Sequence, residues 1–252
     1  MKYIKLFENF EESELLINAA DKKGEMIVRE LEKPEPNLNR VRELIISGAN
    51  VDWKGRGTST NDGYSALNLC AADNYLEFAK MLIDAGADVN VQNRGGYTPL
   101  NRCAVSNHLE FAKMLIDAGA DVNVQGSDDG KTALHNCAYM NYPEFAKMLI
   151  DAGADVNVQT SLGSTALHMC AYEKGRGIAK QMLIAKMLID AGVDVNVQNS
   201  VGSTALHVSA YENDLELTKM LLDAGADKTI SNDVGLPYEI ADNQELKELL
   251  QP

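Results

Sequence analysis

The chain has 252 residues, with 37 Asp and Glu against 23 Lys and Arg, so it carries a formal net charge of -14. A surface field of that sign repels phosphate backbones and anionic lipid heads, which disfavours nucleic acid and membrane surfaces as partners. The opening MKYIKLFENF holds no apolar run long enough for a signal segment, and no later stretch approaches the roughly 20 apolar residues of a membrane span. A cytosolic location is therefore expected.

In chain order, residues 13–33 and 38–48 read as two amphipathic helices separated by a PEP-containing break, after an N-terminal extension over 1–12. The first loop, WKGRGTSTNDGY at 53–64, is an insertion rich in Gly and polar residues. Two interleaved repeats then take over. DAGADVNVQ stands at 84, 117 and 151, DAGVDVNVQ at 190 and DAGADKTIS at 223; SALNLCA, TPLNRCA, TALHNCA, TALHMCA and TALHVSA begin at 65, 98, 132, 165 and 204. The spacing is 33 or 34 residues except for one interval of 39 in each series, and both lengthen across residues 174–192. That stretch, KGRGIAKQMLIAKMLIDAG, repeats its AKMLI phrase and so contains a six-residue insertion near 174–184.

Each unit reads as helix, turn, helix and projecting loop. Thr98 suits an N-cap ahead of Pro99, whose missing N–H costs nothing in the first turn. After a break near Ser106 and Asn107, Leu109, Ala112, Leu115 and Ile116 fall at helical spacing, and Gly119 suits the left-handed residue that ends a helix. In the lengthened unit Gly175 and Gly177 break the chain, and the second helix is expected to start at Ile178, six residues early. Its apolar stripe is read as Ile178, Met182, Ala185 and Ile189, with Ile178 and Met182 as a possible second contact site. The tail, 233–252, carries Ile240, Leu246, Leu249 and Leu250 among charges and reads as a cap.

The T-x-L-H-x-x-A opening, the N-H-L-E-F-A-K turn, the G-A-D-V-N closing phrase and the 33-residue period together resemble the ankyrin repeat. The resemblance implies an all-α solenoid of stacked helix-turn-helix units with hairpin-like loops. It gives five repeats over 53–232, an N-terminal capping repeat over 13–52 and a C-terminal one over 233–252.

The chemistry-bearing residues follow the same period. Cys70, Cys103, Cys137 and Cys170 occupy equivalent places in successive units. Helices about 8–10 Å apart cannot bring four sulfurs to the roughly 2.3 Å of a zinc site, nor pair them as disulfides, so buried thiols and no metal are expected. In the family, the His of TALH (here His135, His168 and His207) and its Thr hydrogen-bond to tie neighbouring units, with Asn68 and Asn101 in that place elsewhere. Asp88, Asp121, Asp155 and Asp194 read as loop residues that accept backbone N–H groups. No nucleophile, base and orienter converge, so neither catalysis nor a cofactor is expected.

By the resemblance, partners dock in a groove lined by the loop tips and the exposed ends of the first helices. The corresponding loop positions include Tyr64, Tyr97, Lys131, Leu162 and Val201; the helix positions include Tyr139, Met140, Tyr172, Glu173, Tyr211 and Glu212. These vary from unit to unit while FAKMLIDAGADVN hardly changes, and Tyr and Met are enriched at interfaces. The expected function is a monomeric, non-enzymatic module that binds a partner protein, in the cytosol of its own cell or delivered into a host's. Two alternatives are a small-molecule or anion sensor using the KGRG loops at 54–57 and 174–177, and a self-associating scaffold.

Overall fold

The computed structural model describes residues 2–55, 63–172 and 178–252, with side chains described for 15–55, 63–172 and 179–252. Among these the chain is all-α, and a single isolated antiparallel bridge joins Lys54 to Ser65. It divides into two compact units: Met1–Cys103 with Glu110–Ala120, and Ala104–Leu109 with Asp121–Pro252.

Unit 1 opens with α1 (Lys2–Leu31) and α2 (Leu38–Ile46). The first helix starts eleven residues earlier than its apolar pattern suggests, because nothing between residues 2 and 12 breaks a helix: Pro and Gly are both absent there. Ile27, Val28 and Leu31 bury against the same core as Val41 and Leu44. Gly24 sits inside α1 for a steric reason. A Cβ there would meet the Asn50 carbonyl and come within 2.6 Å of the Trp53 Cβ, so only glycine lets the loop after α2 cross the helix. Two helical hairpin elements follow, α3 (Ala66–Asp73) with α4 (Leu76–Asp84) and α5 (Pro99–Ser106) with α6 (Leu109–Asp117), the second pair being shared between the units.

Unit 2 continues with α7 (Ala133–Met140), α8 (Pro143–Asp151), α9 (Ala166–Ala171), α10 (Ile178–Asp190), α11 (Ala205–Tyr211) and α12 (Leu215–Asp223). It closes with the short α13 (Pro237–Ile240) and α14 (Gln244–Leu250), where Leu246 and Leu250 are buried and Ile240 and Leu249 half-buried. The turn between paired helices is made by asparagine. Asn74, Asn107, Asn141 and Asn213 all have positive φ, which Asn tolerates because its side chain bonds locally. The next backbone N–H then closes on a carbonyl of the first helix: Tyr75 on Cys70, Tyr142 on Cys137 and Asp214 on Ser209, each at 2.9 Å.

The lengthened unit does this differently. Gln181, buried in α10, donates its Nε2 to the Cys170 carbonyl at 2.7 Å, so a side chain takes the role that a backbone N–H plays elsewhere. The buried face of α10 is accordingly Gln181, Ile184, Ala185 and Leu188, and Met182 and Ile189 are half-buried. This corrects the expected stripe through Ile178, Met182, Ala185 and Ile189. Register is set by the second AKMLI phrase, which packs as its counterpart in α8 does, with Ile184 where Phe145 stands. The side chain of Ile178 lies outside the described residues.

The loops are stitched by Asn and Asp. Asp88, Asp121, Asp155 and Asp194 each accept the N–H of the residue two places on, at 2.8–2.9 Å. Within unit 2 the side-chain oxygens of Asn123, Asn157 and Asn196 accept the N–H of Asp155, Asp194 and Asp227, which links successive loops.

Candidate functional site

The first helices are capped by a reciprocal pair whose second member differs along the chain. Thr132 donates its backbone N–H (3.2 Å) to Nδ1 of His135, with Thr132 Oγ1 2.9 Å from the same nitrogen. An accepting Nδ1 leaves the proton on Nε2, and Nε2 donates to the Ser164 carbonyl at 3.1 Å. His168 repeats the arrangement with Thr165 and the Ser203 carbonyl, the latter at 3.0 Å. The Thr–His bond therefore caps its own helix, and the far nitrogen of the ring ties one unit to the next. Burial lowers the pKa of His135 to about 4 and holds His168 and His207 below their ordinary value, so these rings stay neutral.

His207 departs from the pattern. Thr204 caps against its Nδ1 as before, but Nε2 has no hydrogen-bond partner among the described residues. The Gly235 carbonyl lies close enough to favour the charged ring, yet outside hydrogen-bonding geometry. The cause is the last loop. Thr160 and Asn199 donate their N–H four residues on, to Ser164 and Ser203, whereas Asn232 donates to Gly235, three residues on, at 3.0 Å. The loop closes one residue early, and Leu236 does not present its carbonyl to the ring.

The four cysteines are buried and unpaired, and burial raises every thiol, that of Cys170 to about 12, which makes them poor nucleophiles. Among the described residues, no three His, Cys, Asp or Glu side chains gather as a metal set, and no helix is long and apolar enough to cross a membrane.

The positions expected in a groove separate between the units. In unit 1, Tyr64 is only 6% exposed, with the Arg102 guanidinium 5.4 Å from its ring centre; this corrects its expected place at an exposed loop tip, because the position faces inward, as the equivalent Ser164 and Ser203 do. Tyr97 is half-buried. In unit 2 the loop tips Leu162 and Val201 and the helix ends Tyr139, Tyr172 and Tyr211 are exposed, whereas Lys131, Met140 and Glu212 are half-buried. Glu173 lies outside the described residues, as do Arg56 and Gly57, half of the first KGRG loop, and all of the second at 174–177.

Two hollows run along this face of unit 2 and share Tyr172. One, of about 520 Å³, is lined by Asp128, Asp129, Lys131, Tyr139, Leu162, Met169 and Tyr172 among others. There Lys131 pairs with Asp129 at 3.1 Å and stands 5.9 Å from the centre of the Tyr139 ring. The other, of about 230 Å³, lies between Tyr172, Val208, Tyr211, Val234 and Ile240, with His207, Ser203 and Asn232 completing the wall. Val234, Met169 and Asp128 are not among the residues that the sequence pattern singles out. Val234 does carry a signal, since it stands 33 residues after Val201 and before a glycine in the same way, but it falls in the stretch expected to be a cap.

A family model of ankyrin repeats, written for three copies, matches residues 33–126, 96–160, 125–199 and 153–232. No curated protein matches the chain. The matched spans overlap into one stretch from 33 to 232, most of the sequence, and the helix pairs, Thr–His caps and linked loops lie in step with it. The chain belongs to the ankyrin-repeat family.

Proposed function

We propose that the chain is a non-enzymatic binding module that recognises a partner protein along the loop tips and first-helix ends of unit 2. Ankyrin repeats generally mediate protein–protein interaction, and one observation supports placing the contact here. Leu162, Val201, Tyr211 and Val234 are 69%, 50%, 69% and 80% exposed, beside the exposed rings of Tyr139 and Tyr172, at positions that vary while the buried frame is repeated. Large apolar side chains lined up in water do nothing for the fold, whereas aromatic anchors in shallow hollows are where binding energy concentrates.

The test is a peptide-display selection against the intact chain, repeated with a Y139A/Y172A/Y211A variant. Selected ligands should lose about 100-fold or more in affinity for the variant, since truncating an interface anchor costs about 1 kcal/mol or more each. The melting temperature should change little, because all three rings are exposed at helix ends. Ligands that bind both proteins equally would move the contact off this face.

A further inference from the structure

We infer that this face of unit 2 reads an extended partner segment in which a lysine or arginine stands two or three residues from an aliphatic side chain. The inference rests on the binding reading above and adds the chemistry of the ligand.

The larger hollow already displays the contact it favours. Lys131 sits between the Asp129 carboxylate and the Tyr139 ring, an ammonium held by an anion and an aromatic edge or face. Asp128, its neighbour on the same loop, also lines the hollow and makes no ion pair among the described residues. Two carboxylates thus face one lysine, and Tyr172 forms part of the wall. A guest guanidinium or ammonium gains the unused carboxylate, while a guest carboxylate meets it as a like charge in a chain of net charge -14.

The smaller hollow asks for the opposite chemistry. Val208, Val234, Ile240 and the rings of Tyr172 and Tyr211 make its walls apolar, and no charged side chain lines it. Beside it the last loop closes early, so the His207 ring lacks the carbonyl that His135 and His168 bond. The hollow's 230 Å³ suits one aliphatic side chain, given that a cavity of about 150 Å³ accepts benzene.

Spacing follows from the repeat. Neighbouring helices lie about 8–10 Å apart and an extended chain advances about 3.3 Å per residue, so sites one repeat apart are met by residues two or three apart. Tyr172, common to both hollows, stacks against whatever lies between.

The probes are Ac-GRALG-NH2 and Ac-GRAALG-NH2, titrated into the intact protein while backbone amides of residues 128–131, 162, 208 and 234 are followed by NMR. Saturable shifts at both ends of the face are expected in the millimolar range or below, with binding about tenfold tighter than for the same peptides carrying Glu in place of Arg. Replacing Leu by Ser should abolish the shifts at 208 and 234 only. An Asp128→Lys variant should reverse the Arg-over-Glu preference, and placing Arg next to Leu should lose one of the two sets of shifts. Equal binding of the Arg and Glu peptides, or no saturable shift, overturns the inference. If display ligands depend on the tyrosines yet carry no basic–aliphatic pair, the binding surface stands and this ligand chemistry falls.

Discussion

The two units share a frame and differ in what they place on it. Unit 1 caps its first helices with Ser65–Asn68 and Thr98–Asn101, unit 2 with Thr132–His135, Thr165–His168 and Thr204–His207. For the cap itself, Asn Oδ1 and His Nδ1 are equivalent acceptors. The imidazole is longer and adds a donor on its far side, which reaches the next loop's carbonyl in two of three cases, whereas the Asn68 amide nitrogen has no partner among the described residues. Histidine therefore adds a hydrogen bond between successive repeats of unit 2 and, with it, a group that can titrate. The aromatic residues divide as well: Tyr64 of unit 1 is buried, whereas Tyr139, Tyr172 and Tyr211 of unit 2 are exposed.

The largest expected consequence is acid sensitivity confined to unit 2. A histidine whose folded pKa is depressed binds its proton more readily when unfolded, so its stabilisation is complete above about pH 6.5 and is lost as pH falls toward the folded value. For His135, lowered from 6.5 to about 4, that loss amounts to about 3 kcal/mol across the window, and His168 and His207 add in the same direction. Hydrogen exchange between pH 6.5 and 5 should show falling protection in α7, α9 and α11 and little change in α3. A variant with Asn at 135, 168 and 207 should flatten the dependence; an unchanged slope would mean that carboxylates cause it.

Next in size is the lengthened unit. Gln181→Met keeps the volume and removes the donor, leaving the buried Cys170 carbonyl unsatisfied at about 1–3 kcal/mol. Urea unfolding should show this loss. A neutral result would show that the Gln181–Cys170 bond does not stabilise the fold.

The finest comparison is between two histidines. His168→Asn retains the cap, as the chain does at 68 and 101, but gives up the bond to Ser203, and should cost about 1–2 kcal/mol. His207→Asn gives up no hydrogen bond of Nε2 and should cost less than His168→Asn by the worth of that bond, about 1 kcal/mol. Equal losses in the two variants would show that His207 Nε2 is partnered in solution.

Much of the frame is legible in the sequence itself. The 33-residue period, the capping threonines, the left-handed Gly119 and the break at Asn107 are local signals, each set by backbone preference or by the burial of one helix face. They locate the helix pairs within a residue or two and assign the Asp and Cys series to structural places. The loop period also reaches Val234, inside the stretch expected to be a cap.

What the chain alone leaves open depends on neighbours distant in sequence. Tyr64 reads as an open anchor like Tyr139 or Tyr172, yet it is buried, with Arg102, 38 residues on, over its ring. Two copies of AKMLI compete for one packing site in α10, and periodicity fits either; the copy that places Gln181 under the Cys170 carbonyl satisfies a buried acceptor and is the one used. The helix start at Lys2 reflects the absence of a breaker more than the presence of an apolar pattern. Least legible is the state of His207, whose Nε2 is left without a partner among the described residues where Asn232 closes its loop on the third residue instead of the fourth. Repetition in a sequence determines which side chains are equivalent, since each unit must bury the same face. Whether an equivalent side chain is covered, bonded or left open is decided by the particular atoms the next unit brings to it.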